Sequence, residues 1–231
     1  MRPGIEEIPF ELPWVLKPVT PGKVTVASLL PAGFETYLRL FHPFAPWDWE
    51  SSEPLPVDRR TRWHHLAGLA GVKYGSTTTW RQLEPVLPDT EHGRPYAVWE
   101  GTLELNTAEA LLSNLDSVVG TGPLFVAFNL ASIIRTTRQS PLMFSIESID
   151  RWIEVTTDVV PWINRHDLCT PEYTWPEDQR WIICSDYDLS STYIASSAST
   201  ASQLFADPEL EVLEVALTDR IDNHADEQAN P

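Results

Sequence analysis

Arg180-Trp181-Ile182-Ile183-Cys184-Ser185-Asp186-Tyr187, then Asp188-Leu189-Ser190, then Ser191-Thr192-Tyr193-Ile194-Ala195: this stretch decides the fold class. The first segment is an apolar, β-branched run and reads as a strand. Asp, Leu and Ser then supply turn chemistry, because short polar side chains bond their own backbone. The last segment reads as the partner strand of an antiparallel hairpin.

Toward the C-terminus, Ala198–Ala206 fits a helix and Glu211–Leu217 alternates as a final strand. Beyond it, 218–231 reads as an acidic, disordered tail. Toward the N-terminus, 157–178 holds Pro161, Pro171 and Pro176 and reads as irregular, and Ile149–Val155 as a short helix. Leu142–Ile146 and Pro123–Phe128 read as strands. The clearest helix is 107–119, with Asn106 as N-cap, Glu109 completing a capping box and Gly120 as the stop. Tyr96–Trp99 reads as a short strand, Thr79–Leu87 as a short helical turn, and Thr61–Ala70 as a helix. The proline-bearing segment 42–58 reads as a loop. Phe34–Phe41 and Lys23–Leu29 read as strands joined by the Pro31-Ala32-Gly33 turn. Residues 1–22 carry five prolines and form an arm. Strands that follow one another directly, with few and short helices, imply α+β: a mainly antiparallel sheet with short helices packed on it, one domain over 23–217.

Composition narrows the function classes. Hydrophobic residues make up 42% of the 231 and charged residues 21%, which excludes a wholly disordered chain. Thirty-three acids against sixteen bases give a net charge of −17. From Asp207 onward eight acids meet one base, so seven of those charges sit at the C-terminal end and ten in the body. Nucleic acid and anionic membranes are poor partners for such a surface. A basic protein partner is a good one. No apolar run approaches the roughly 18 residues of a membrane span. The N-terminus has no apolar signal core, so the expected location is cytoplasmic. Cys169 and Cys184 form no CxxC and no Cys/His ligand spacing, so no structural metal and no cofactor is expected.

Nucleotide-loop, nucleophile-elbow and HExxH motifs are missing. Three constellations remain. Asp186 and Asp188 are two apart, so on a strand they share a face and suit a divalent cation or an acid/base pair, with His65 or His42 nearby; as turn residues they need neither role. Of ten tryptophans, Trp63, Trp152 and Trp181 lie on apolar faces and read as core. Trp47, Trp49, Trp162 and Trp175 lie in proline-bearing loops, where an indole either packs down or serves as a binding anchor, for a protein or a sugar. The candidate site is Trp175–Arg180 with the Asp186–Tyr193 hairpin: Trp175, Asp178, Arg180, Asp186, Asp188 and Tyr193, joined by Trp47, Trp49 and His65.

Pro31–Pro43, Trp175–Ile194 and Asp207–Glu211 resemble a group of actinobacterial proteins without an assigned activity, across about residues 23–215. Ala195 and Ser196 stand where that group has two glycines. The resemblance implies a single domain and a bacterial origin. Leu30-Pro31 with Tyr37-Leu38 is also similar to the SUKH immunity superfamily, although the following Asn-Gly-Gly is missing. Together these features lead to the expectation of a non-catalytic, protein-binding and immunity-like module. A metal-assisted hydrolase on Asp186 and Asp188, or a carbohydrate binder on the loop tryptophans, is the alternative.

Overall fold

Strands buried on both faces carry apolar runs rather than alternation, because each side chain meets a packed layer. Ser191–Ser196 and Ile182–Cys184 are buried at every position, and the architecture shows why. The computed structural model describes residues 24–46, 60–86, 96–98, 100–116, 124–129, 142–146, 149–156, 171–186, 188–222 and 224–225. The elements are α1 (Val26–Leu29), β1 (Thr36–Phe41), β2 (Phe44–Pro46), α2 (Trp63–Ala70), α3 (Trp80–Leu83), β3 (Tyr96–Val98) and α4 (Leu105–Asp116). They continue with β4 (Leu124–Asn129), β5 (Leu142–Ile146), β6 (Ile149–Thr156), β7 (Tyr173–Pro176), β8 (Ile182–Cys184), β9 (Ser191–Ser196), α5 (Ala198–Ala206) and β10 (Val212–Glu214).

Among the described residues, eight strands form one sheet in the order β10-β1-β9-β8-β7-β4-β6-β5. Its pairings are antiparallel. The fold is therefore α+β with a mainly antiparallel sheet, as the hairpin implies. The hairpin itself is β8–β9, with Ile183 opposite Ile194.

One face of the sheet packs Leu38, Leu40, Val126, Ile183 and Ile194 against α4 and α5 through Leu111, Leu115 and Leu204. The other face packs Ala127, Tyr173, Trp175, Cys184 and Tyr193 against α1 and the C-terminal segment through Val26, Leu29, Val215 and Ile221. A third cluster closes one end, where Phe41, Phe44, Trp63, Leu66 and Leu83 pack together.

Local chemistry sets the helix ends. Glu211 accepts the Trp63 and His64 N–H groups at 2.9 and 2.8 Å, so a carboxylate from a distant segment caps α2. Gly71 ends that helix at φ 65°, where its missing Cβ avoids the left-handed penalty. Ser197 caps α5 by accepting the Thr200 N–H.

Several sequence expectations are corrected. Val26–Leu29 is a helical turn, not part of a strand. The Thr25 N–H donates to Ser28 Oγ, and the Val26 and Ala27 N–H groups donate to Asp219 and Leu217. Tertiary bonds thus override the β-branched preference of Val24 and Val26. Ile149–Thr156 is a strand, not a helix, because it pairs on both edges, with β4 and β5. Tyr173–Pro176 is a strand inside the segment read as irregular. Phe44–Pro46 pairs with Tyr96–Val98 inside the segment read as a loop. The cap of α4 is Glu104, not Asn106: its carboxylate accepts the Asn106 and Thr107 N–H groups at 3.0 and 3.1 Å. Packing also continues beyond residue 217. Thr25 bridges to Arg220, and Ile221 and Ala225 are buried. The N-terminal arm, the Gly120 stop and residues 226–231 lie outside the described residues.

Candidate functional site

Arg39 stands in the middle of a buried strand, between Leu38 and Leu40. The β1–β9 register sets it opposite Tyr193, and Phe41 opposite Ser191. Residues two apart on a strand share a face, so Arg39, Tyr193 and Ser191 lie on the face of α1 and the C-terminal segment. Arg39 Nε donates to Ser191 Oγ at 2.9 Å. Its Nη1 donates to the Ser76 and Thr78 carbonyls at 2.7 and 2.9 Å. The turn that offers those carbonyls is built locally. Thr78 Oγ1 accepts the Gly75 N–H, and Gln82 Oε1 accepts the Thr79 N–H as α3 begins. The guanidinium also lies 4.2 Å from the Phe41 ring centre and 5.6 Å from that of Trp63, which are cation–π distances.

Arg39 is only 5% exposed, yet among the described residues no carboxylate lies within ion-pair distance of it. Burial pulls its pKa down from the ordinary arginine value, and the nearby Tyr193 and Tyr74 oppose that. It keeps its charge, because arginine has no accessible neutral form in proteins. Burial likewise pushes the Tyr193 phenol up, against the pull of Arg39, so the hydroxyl stays protonated.

Arg39 and Tyr193 line an open concavity with a cavity volume of about 20 Å³. The mouth carries Glu100, Asp188 and Asp222, with Ser190, Thr79 and Trp80 beside them. The Gly101 N–H donates to the Leu189 carbonyl at 2.9 Å, which brings Glu100 alongside Asp188. Gly101 makes this possible at φ 65°. Burial first, and the Asp188 charge second, push the Glu100 carboxyl above its ordinary range. Asp222 stays below its own. Burial works against that, but the Arg220 guanidinium at 2.8 Å and the His224 N–H at 3.0 Å outweigh it.

No family model, curated protein or solved structure matches this chain.

Of the residues singled out in the sequence, the cavity gathers Asp188 and Tyr193. Asp186 does not join them, because its carboxylate accepts the Asp188 N–H at 3.0 Å and so serves the turn. Trp175 is a core residue, fully buried and stacked on Phe125 with ring centres 5.7 Å apart. Asp178 and Arg180 form an exposed ion pair at 2.6 Å on the β7–β8 turn. His65 is exposed on α2. His42 is buried, with Nε2 2.9 Å from Thr192 Oγ1, which in turn is 2.7 Å from Ser185 Oγ. Among the described residues no three of His, Cys, Asp and Glu are grouped to hold a metal ion. Trp47, Trp49 and Trp162, and the Trp152 side chain, lie outside the described residues.

The sequence reading missed Arg39, Glu100 and Asp222. Arg39 had a signal: a charge inside Tyr37-Leu38-Arg39-Leu40-Phe41, where the flanking leucines are fully buried. Glu100 and Asp222 had none, since only the fold brings them to residue 188.

The raised Glu100 carboxyl has a consequence for stability. The folded state binds its proton more tightly than the unfolded chain does, so this contribution is complete below the ordinary glutamate value of about 4.5 and is lost as pH rises through the raised value. Glu100→Gln is therefore expected to match the parent in acid and to exceed its stability at neutral pH. Urea denaturation at both pH values checks this; a variant less stable at neutral pH would show that the carboxylate is held by favourable contacts instead.

Proposed function

We propose that this chain is a non-catalytic binding protein that takes up a basic partner protein, in the manner of an immunity protein. One observation carries the reading. Glu100 and Asp188 crowd each other at the mouth of the concavity, and among the described residues neither has a cation within ion-pair distance. Two adjacent like charges cost the free protein stability, and a lysine or arginine placed between them would relieve that cost. The net charge of −17 supports the same reading, because it draws a basic partner in from a distance. It disfavours nucleic acid for the corresponding reason. A cytoplasmic location belongs to the proposal. Among the described residues no helix is long and apolar enough to cross a membrane.

The hydrolase and carbohydrate readings find no comparable support, given the Asp186 turn bond and the buried Trp175.

The protein immobilised and exposed to native lysate should retain a basic protein at low salt and release it at high salt. Glu100→Gln combined with Asp188→Asn should weaken that retention about tenfold. Equal retention by the double variant, or none by the parent, would overturn the proposal.

A further inference from the structure

A guanidinium buried without a counter-charge is costly to keep. The neutral partners of Arg39 occupy Nε and Nη1, and among the described residues its Nη2 makes no hydrogen bond. The Tyr193 hydroxyl, on a residue 1% exposed, also makes none. Both residues line the same cavity, and neither atom is among the fully enclosed ones, so each can still be reached by a ligand group. Guanidinium and phenol together are the natural donors to a carboxylate or phosphate oxygen.

Size and charge choose between those anions. The cavity holds one water-sized group, which suits a single carboxylate oxygen, the rest of the ligand lying outside it beside the acidic residues of the mouth. The mouth is acidic through Glu100, Asp188 and Asp222, of which only Asp222 has a paired cation. A phosphate dianion would have to pass that barrier uncompensated. A carboxylate that carries its own cation meets an attractive mouth and an attractive floor.

We propose that this concavity binds a zwitterion: its carboxylate on Arg39 and Tyr193, and its cationic group between Glu100 and Asp188. The ligand class is a basic amino acid, supplied either free or as the C-terminal residue of a polypeptide. The site shares the Glu100–Asp188 pair with the reading above but does not need a protein partner.

Calorimetric titration of the full chain with L-lysine and with Gly-Gly-Lys tests it. The controls are Gly-Gly-Lys amide, n-butylamine and acetate. At least one of the two zwitterions is expected to bind about tenfold more tightly than any control. Binding of lysine alone identifies a small-molecule site; binding of Gly-Gly-Lys identifies a polypeptide terminus. Arg39 variants disturb the 75–79 turn, so Tyr193→Phe is the informative change. It removes a hydroxyl without a protein partner, so the fold should survive, while zwitterion binding falls several-fold and butylamine binding does not move. No zwitterion binding, an amide as good as the acid, or a Tyr193→Phe chain with unchanged affinity would each overturn the proposal. No lysate retention by the parent alongside lysine binding would sink the partner reading alone, and retention alongside no zwitterion binding would sink only this one.

Discussion

Trp63→Ala is expected to lower the unfolding free energy by about 3–5 kcal/mol. Three separate losses lead to that figure. The indole is fully buried in the end cluster, so its removal leaves a large cavity beside Leu66 and Leu83. Its ring centre lies 5.0 Å from that of Phe41 and 4.9 Å from that of Phe44, aromatic contacts worth more than their area. Its Nε1–H donates to the His42 carbonyl at 2.7 Å, which would be left buried without that donor. The cluster is also the floor beneath Arg39, so the effect reaches the site. Trp63→Phe separates the terms: it keeps an aromatic ring and gives up the donor, and should cost about 1–3 kcal/mol. Urea denaturation of the three chains measures the series. A Trp63→Ala loss below that of Trp63→Phe would show that the end of the sheet is not packed as described.

Legibility in the sequence followed the range of the forces involved. The β8–β9 hairpin, β1, the end of α2 and α5 are fixed by nearby residues: a polar turn at 188–190, an apolar run, Gly71 and Ser197. Their patterns stand in the sequence because their causes do. Val26–Leu29 misled because its backbone partners, Leu217 and Asp219, are nearly two hundred positions away. Ile149–Thr156 misled because its strand identity depends on lying between β4 and β5. Proline counts mark 157–178 as irregular, yet Pro176 pairs opposite Leu124 at a strand end, where its missing N–H costs little.

The site was half legible for the same reason. Asp188 and Tyr193 belong to the hairpin, which the sequence defines. Asp186 and Trp175 were chosen by residue type alone, and the fold assigns them a turn bond and a core position. Arg39 is where local consistency fails, a cation in a buried strand, and such failures mark function more often than stability. The backbone bond from Gly101 to Leu189 then supplies the mouth from a segment whose sequence shows nothing unusual.

Glu104→Ala is expected to cost about 3–5 kcal/mol, the range for removing one member of a buried ion pair. Glu104 is 2% exposed and has two duties. It caps α4 by accepting two N–H groups and the Thr107 hydroxyl, the last at 2.9 Å. It also stands 3.5 Å from the guanidinium of Arg60, which pairs as well with Glu209, itself 42% exposed. The cap alone is worth about 1 kcal/mol. The remainder comes from taking a buried carboxylate away from the Arg60 charge. Glu104→Gln retains the shape and one acceptor oxygen, so it should fall between parent and alanine. Arg60→Met with Glu104→Leu removes both charges and should cost less than Glu104→Ala, because no buried cation then remains. Chemical denaturation of the parent and these three variants gives the order. If Glu104→Ala costs no more than the cap, the Arg60 charge does not depend on Glu104, and the double variant should then be the worst of the set.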